Sequence, residues 1–153
     1  METIESIIKD IAAEQFGEFS YVFENWEDAD AKLEKIPYPA IVCVLPTGGS
    51  VSMRTGRVFD TEYVALAFLD LAPMGAEGEE NKEIYTRMKQ EGIRFLNALN
   101  KSGKIEPIEQ AQYDTICEQL ATIVTGVMFQ LTIRQKKGTC LRERYSLTTR
   151  RRG

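Results

Sequence analysis

The feature that most constrains the fold is one long run of strand-forming residues, from Arg57 to Leu71. Apolar and aromatic side chains dominate this run, among them Val58, Tyr63 and Leu69. A strand of this length exceeds the ~5–6 residues of an average strand. We therefore expect it either to project beyond its sheet or to carry a β-bulge.

Other strands are predicted on both sides of this run. The continuous apolar stretch Ala40–Leu45 is short and rich in β-branched residues, which favours a strand buried on both faces, with Cys43 as a small core residue. Pro-Thr-Gly-Gly-Ser at 46–50 predicts a turn or loop. A short strand at Val51–Arg54 and a second turn at Thr55–Gly56 would then lead into the long strand.

The remaining strand signals differ in strength. Phe19–Phe23 alternates large and small side chains, which is typical of a short strand. Val127–Arg134 alternates with a strict period of two, which indicates one buried face, and Gly126 marks a candidate bulge just before it. Residues 104–119 stay open between one strand and two.

Three helices are predicted from apolar side chains at helical spacing. Residues 2–15 form an amphipathic helix, and Asn25 begins a short helix that ends before Pro37. The main helix covers Asn81–Lys101. Gly92 in its middle costs roughly 1 kcal/mol relative to alanine, which indicates close packing against a strand. The apolar stripe of this helix contains Ile84, Met88, Gly92, Phe95 and Leu99.

The order of these elements predicts the fold class. Helix, strand, short helix, two strands, long helix and two strands follow one another, and adjacent strands favour antiparallel pairing. We expect an α+β fold, a two-layer sandwich of a mainly antiparallel sheet with the long helix packed on one face and an N-terminal helix. Residues 1–135 would form one domain, and residues 136–153 a basic, flexible tail.

Charge is distributed unevenly along the chain. Residues 134–153 carry eight basic residues against Glu143 alone, net +7, which leaves −11 for the rest of a chain whose total is −4. Such a segment can bind nucleic acid or an acidic protein surface, including another copy of the chain, or it can be a solvated end without a partner. The candidate partner contacts are Arg142, Arg144, Arg150, Arg151 and Arg152.

Much catalytic chemistry is excluded by composition. The chain has no histidine, which removes Ser-His and Cys-His pairs and the usual zinc sites. Its three cysteines form no C-x-x-C pair, which favours free thiols in a reducing cytoplasm. No apolar run approaches the ~20 residues of a membrane span, and the acidic start does not resemble a secretory signal. We expect no catalytic, cofactor or metal site.

The element order resembles the tail-terminator and tail-completion proteins of long-tailed phages and prophages. The resemblance covers about residues 2–135 and is architectural, because these families have no catalytic signature. It lies in the N-terminal helix and four further segments: Pro39–Leu45, Val58–Leu71, Asn81–Lys101 and Thr125–Ile133.

The resemblance implies a non-enzymatic structural role. Members of that family form rings, often hexamers, that cap the tail tube, stop its growth and join it to the head. The implied partners are further copies of the chain, the tail tube and head-connector proteins. The implied location is the virion tail, with assembly in the host cytoplasm. The alternative is an interaction module whose basic tail binds an acidic protein or nucleic acid. Of these two ligands, nucleic acid is not favoured.

Overall fold

The computed structural model describes residues 2–73, 75–119 and 123–140. Its element order confirms the predicted succession of helices and strands and the α+β class. The elements are α1 (Ile4–Gln15), β1 (Ser20–Glu24), α2 (Trp26–Leu33), β2 (Ala40–Arg54), β3 (Arg57–Leu71), α3 (Gly78–Lys101), β4 (Gln112–Gln119), β5 (Val124–Arg134) and β6 (Thr139–Cys140).

The strands form one mixed sheet in the order β1-β2-β3-β5-β4. β1 pairs with β2 in parallel, and the other pairs are antiparallel. β6 pairs with the first residues of β3, outside this path. It lies in the segment that the sequence assigns to the tail, where the Lys136 N–H also donates to the Lys104 carbonyl.

Helices α1 and α3 pack on one face of the sheet, which we call the helix face. Alternation along the strands sends Ile41, Leu66, Phe68 and Phe129 toward these helices into one buried cluster. Within this cluster the ring of Phe16 contacts Phe95, Phe95 contacts Phe68, and Phe68 contacts Phe129. Each fully buried large side chain contributes roughly 1.5–3 kcal/mol relative to an exposed one, so this layer supplies most of the core.

The opposite face is covered at one end by the short helix α2. Its buried Ala29 and Leu33 share a second cluster with Val22 and Val42, the strand residues that alternate with those of the helix face. The predicted cap is present, because the Asn25 side chain accepts the Asp28 N–H at 2.8 Å. α2 thus closes the β1 end of the sheet.

One sequence prediction is wrong, and one open alternative is decided. Residues 46–50 are not a turn: β2 continues through them to Arg54, with a shift in register between Val44 and Gly48. Residues 104–119 hold one named strand, β4, preceded by an isolated bridge from Ile105 to Gln135. The irregularity expected near Gly126 lies in its partner strand, because β4 shifts register just after Ile116, the residue opposite Gly126.

Candidate interaction surface

The most exposed part of the sheet is the β2–β3 hairpin, residues 48–60, which we call the arm. β1 pairs with β2 only as far as Val44, and β5 pairs with β3 only from Thr61. Beyond these limits β2 and β3 continue to pair with each other, from Gly48 to Arg54 on the β2 side. Seven strand residues extend ~23 Å, so the long strand projects beyond β1 and β5, as predicted, with β6 paired only to its first two residues.

The tip of the arm is a tight two-residue turn. Thr55 and Gly56 have φ values of 50° and 75°, both in the left-handed region. A two-residue loop with two positive φ values matches the right-handed twist of the strands that it joins. The arm is therefore an ordered β-ribbon at its tip, flanked by Arg54 and Arg57.

A bulge forms the base of the arm. Three β2 residues, 45–47, lie opposite Val64 alone. Gly49 then packs against β3 so closely that an added Cβ would clash with the Thr61 carbonyl group, with the carbonyl carbon at 3.1 Å. A bulge bends the strand and increases its twist. Pro46, Gly48 and Gly49, which suggest a turn in the sequence, therefore lie at a bulge where β2 bends and then continues.

Large apolar side chains are exposed along the arm. Val51 and Met53 are 65% and 66% exposed. They lie opposite Asp60 and Val58, so they belong to the helix face of the sheet, beyond the reach of the helices. One exposed apolar side chain is ordinary, but two on the same face of a projecting strand make the arm a candidate contact surface.

The outer edge of β2 is unpaired along the arm. From Gly48 to Arg54, the described residues include no strand on that side. Neither lysine nor proline lies in this stretch, although natural edge strands often use these residues to block further pairing. The backbone groups of this edge are available to another strand.

A second unpaired edge lies at the far side of the sheet, on β4. Within the described residues β4 pairs only with β5. Tyr113 is 46% exposed there, with its ring centroid 6.0 Å from that of Phe129 and 5.1 Å from Lys89 Nζ. Ile93, one helical turn after Lys89, is also exposed. The β4 edge thus has unpaired backbone groups, with the exposed side chains of Tyr113 and Ile93 on the same side of the molecule.

The two edges carry opposite charge. The arm contains Arg54 and Arg57 near its tip, and its one acidic residue is the partly buried Asp60 at its base. Residues 105–117 contain Glu106, Glu109 and Asp114 and no basic residue. The two arginines and the three acidic side chains on the β4 side are exposed, and Glu106 lies 3.8 Å from Arg134. The arm is therefore electrostatically complementary to the β4 side.

The candidate contacts in the tail lie outside the described residues: Arg142, Arg144, Arg150, Arg151 and Arg152. The strand that leads to them is described. β6 places Thr139 opposite Val58 and Cys140 opposite Arg57, so it runs toward the tip of the arm. Arg57 Nη1 also donates to the Gly138 carbonyl at 3.2 Å. The basic segment thus begins beside the basic tip of the arm.

The buried polar groups of the helix face serve packing. The Tyr21 hydroxyl donates to a Glu5 carboxylate oxygen at 2.8 Å. Burial, with Cys43 and Glu5 nearby, raises the pKa of Tyr21. Burial also raises the pKa of the Cys43 thiol to about 12. Both groups stay protonated near neutral pH, which agrees with Cys43 as a core residue.

The described residues contain no cluster of three or more His, Cys, Asp or Glu side chains that could hold a metal ion.

Beside β4 there is a shallow depression of about 500 Å³ with the amide side chains of Gln110, Gln112 and Gln130 in its wall. No helix of the described part combines the length and the apolar character that crossing a bilayer requires.

The sequence matches no protein-family model and no curated protein. A function therefore has to be inferred from the surface of the chain itself. The arm and the β4 edge each combine an unpaired strand edge with exposed apolar side chains.

Proposed function

We propose that this chain is a structural subunit that assembles with identical copies into a ring, as tail terminators do at the end of a phage tail tube. The observation that carries the proposal is the projecting arm, with Val51 and Met53 two-thirds exposed beside an unpaired strand edge. An arm of this kind gains stability when another chain covers its apolar side chains and completes its hydrogen bonds.

The positions of the two edges favour a ring. The arm extends from β2 near one side of the sheet, whereas β4 closes the other side. A contact between different surfaces of identical subunits repeats head to tail, and it closes into a ring when the rotation between subunits allows. The opposite charges of the two surfaces support this arrangement over contacts between like surfaces.

The proposed role is non-enzymatic. In the resembled family the ring caps the tail tube and joins it to the head, so the partners would be tail-tube and head-connector proteins. The protein would act in the virion tail after assembly in the host cytoplasm. The charges and apolar side chains of the arm suit such a role, because assembly requires complementary surfaces without a reacting group.

Light scattering coupled to size exclusion tests the assembly. We expect the full chain to elute as one oligomer whose molar mass is an integer multiple of 17.3 kDa. Negative-stain electron microscopy should show rings. Replacement of both Val51 and Met53 with serine should shift the equilibrium to monomer. The matched control is Leu71→Ser, which changes a 52% exposed residue at the other end of β3 and should leave assembly intact. A chain that is monomeric at every concentration contradicts the proposal.

The phage-tail setting is tested by genome context. Genes for tail-tube, tape-measure or portal proteins next to the gene for this chain would support it. A neighbourhood of unrelated metabolic genes would count against the tail role, even if the chain forms rings.

A second candidate function is favoured by the course of β6. This strand leads the basic segment to the arm tip, where Arg54 and Arg57 already lie, so one pole of the molecule collects positive charge. Such a pole would suit an interaction module that binds nucleic acid or an acidic protein. A monomer that retards DNA in a gel, with affinity that falls steeply with salt, would favour this candidate over the ring.

A further inference from the structure

We infer that the arm of one copy adds to the β4 edge of the next, with Gly48–Arg54 running antiparallel to Gln112–Gln119, so that the sheet continues from subunit to subunit. This inference rests on the proposed function, since it requires identical copies to assemble. It specifies which two surfaces meet. The neighbour's β4 would lie along β2 beyond the end of β1, where the outer edge of β2 has no partner among the described strands.

Strand directions in the sheet support this pairing. β2 and β5 each run antiparallel to β3, and β4 runs antiparallel to β5. β4 and β2 therefore point in opposite directions within one subunit. A rotation about an axis along the strands keeps these directions, so it brings the arm of the next copy antiparallel to β4. The regular part of β4, Gln112–Ile116, is long enough to face Ser50–Arg54 of the arm.

Side-chain positions select one register. Val51 and Met53 belong to the helix face, as do Tyr113 and Thr115, which lie opposite the buried Phe129 and Val127. The rotation described above keeps the helix faces of the two copies on the same side. Val51 opposite Thr115, the middle of both strands, places Met53 opposite Tyr113. An aromatic and an apolar side chain directly across two strands stabilise antiparallel pairing.

Charge favours the arm–β4 pairing over the symmetric alternatives. A pair of arms would join two surfaces that each carry Arg54 and Arg57, and a pair of β4 edges would join two surfaces that each carry acidic residues such as Glu109 and Asp114. Like charges opposed across an interface are unfavourable. In the inferred register, Arg54 lies diagonally across from Asp114 on the same face, within reach of a long side chain. Only the pairing of arm with β4 joins unlike charges.

Disulfide trapping tests the pairing in the full chain. The background is Cys117→Ser with Cys140→Ser, which keeps the buried Cys43. In this background we add Val51→Cys and Thr115→Cys together. Residues directly opposite across antiparallel strands bring their Cβ atoms to ~4.5–5.5 Å, near the range of a disulfide. Under mild oxidation we expect a ladder of covalent oligomers that collapses on reduction.

The matched control combines Ser52→Cys with Thr115→Cys. Residue 52 is adjacent to Val51 but lies on the opposite face, so little cross-linking is expected. A second control mixes the two single-cysteine proteins, which should give covalent dimers and no longer species.

The cross-linking and light-scattering results together distinguish the strand pairing from the ring function. A ladder from the matched pair alone supports the inference. Equal ladders from both pairs, or dimers from Val51→Cys by itself, overturn it. A protein that forms rings by light scattering but does not cross-link overturns this pairing and leaves the ring function standing. A protein that never assembles overturns the proposed function, and the pairing with it.

Discussion

Gly92 of α3 lies directly against the ring of Phe129 in β5. A Cβ on residue 92 would approach the ring carbon Cζ of Phe129 to 2.9 Å and Cδ1 of Phe68 to 3.1 Å. These distances are well below ordinary van der Waals contact between carbon atoms. The missing side chain therefore lets the helix backbone settle onto two aromatic rings of the sheet.

Gly92→Ala should destabilise the fold, although alanine is the better helix former by about 1 kcal/mol. The added methyl group forces the aromatic cluster apart, and overpacking of this kind costs ~1–3 kcal/mol. Urea unfolding followed by circular dichroism measures the loss. The matched control is Gly78→Ala at the start of α3, where an added Cβ meets no atom within 4 Å and stability should not fall. Equal stability of the two variants would contradict the close packing.

The core could be predicted from sequence because its signals are local and periodic. Helical spacing predicts that the face of α3 with Met88 and Phe95 is buried, and alternation along β5 predicts the same for the face with Phe129. The role of Gly92 also followed from sequence, since a glycine in mid-helix needs a reason in packing. Element order then restricts the fold to very few arrangements.

The projection of the long strand and the turn at its tip follow from the sequence, but the continuity of β2 through residues 46–50 does not, because its cause is not local. Residues 46–50 carry strong turn signals, yet β3 continues opposite them and holds β2 extended. The added residues become a bulge, and the two halves of β2 join into one strand. The exposure of Val51 and Met53 depends on where β1 and β5 end. Only the assembled sheet reveals these limits.

The β4 edge was ambiguous for a related reason. Its sequence is mostly polar because one side of an edge strand faces solvent, so Tyr113 and Ile116 give too weak a pattern to fix one strand. The candidate site chosen from sequence was the basic tail. The structure adds the two strand edges, which no motif marks.

The two thiols of Cys43 and Cys117 should differ in reactivity. Burial raises the pKa of Cys43 to about 12, and the side chain is 1% exposed, whereas Cys117 is exposed. In a Cys140→Ser protein at pH 8, we expect one thiol to react rapidly with Ellman's reagent and the second only after denaturation. Adding Cys117→Ser should abolish the rapid phase. A rapid phase that persists in that variant would show that Cys43 is accessible.

Glu62 should lower stability when it is ionised. Its pKa is raised above 4.5, first by burial and then by the charge of Asp60 and a hydrogen bond to it. The folded state therefore holds the proton more tightly than the unfolded state. The cost of ionisation is fully present above the raised pKa, and it vanishes as the pH falls below 4.5.

Glu62→Gln should consequently stabilise the protein at pH 7, and the gain should disappear near pH 4. The side chain is only partly buried, so solvent screening limits the gain to less than about 1 kcal/mol. Thermal unfolding at both pH values measures it. Glu83→Gln, which removes an exposed carboxylate on α3, is the control for the change in net charge. A gain of equal size at both pH values would refute ionisation as its cause.

Removal of residues 141–153 should weaken assembly without unfolding the domain. Cys140 is the natural end point, because β6 and the hydrogen bonds of Lys136 and Arg57 are then retained. The deleted segment carries five arginines and Glu143, so its contribution to contacts between copies would be electrostatic and screened by salt. We expect the full chain to dissociate as salt rises, whereas the truncated chain should assemble less tightly and respond less to salt.

The matched control keeps the length of this segment and removes its charge, with glutamine at Arg142, Arg144, Arg150, Arg151 and Arg152. Light scattering across a salt series compares the three proteins, and thermal unfolding confirms that the domain is intact. If charge is the cause, the glutamine variant behaves like the truncated chain. Unchanged assembly in both variants would show that the tail does not contribute to the contact between copies. The arm and β4 would then account for the contact.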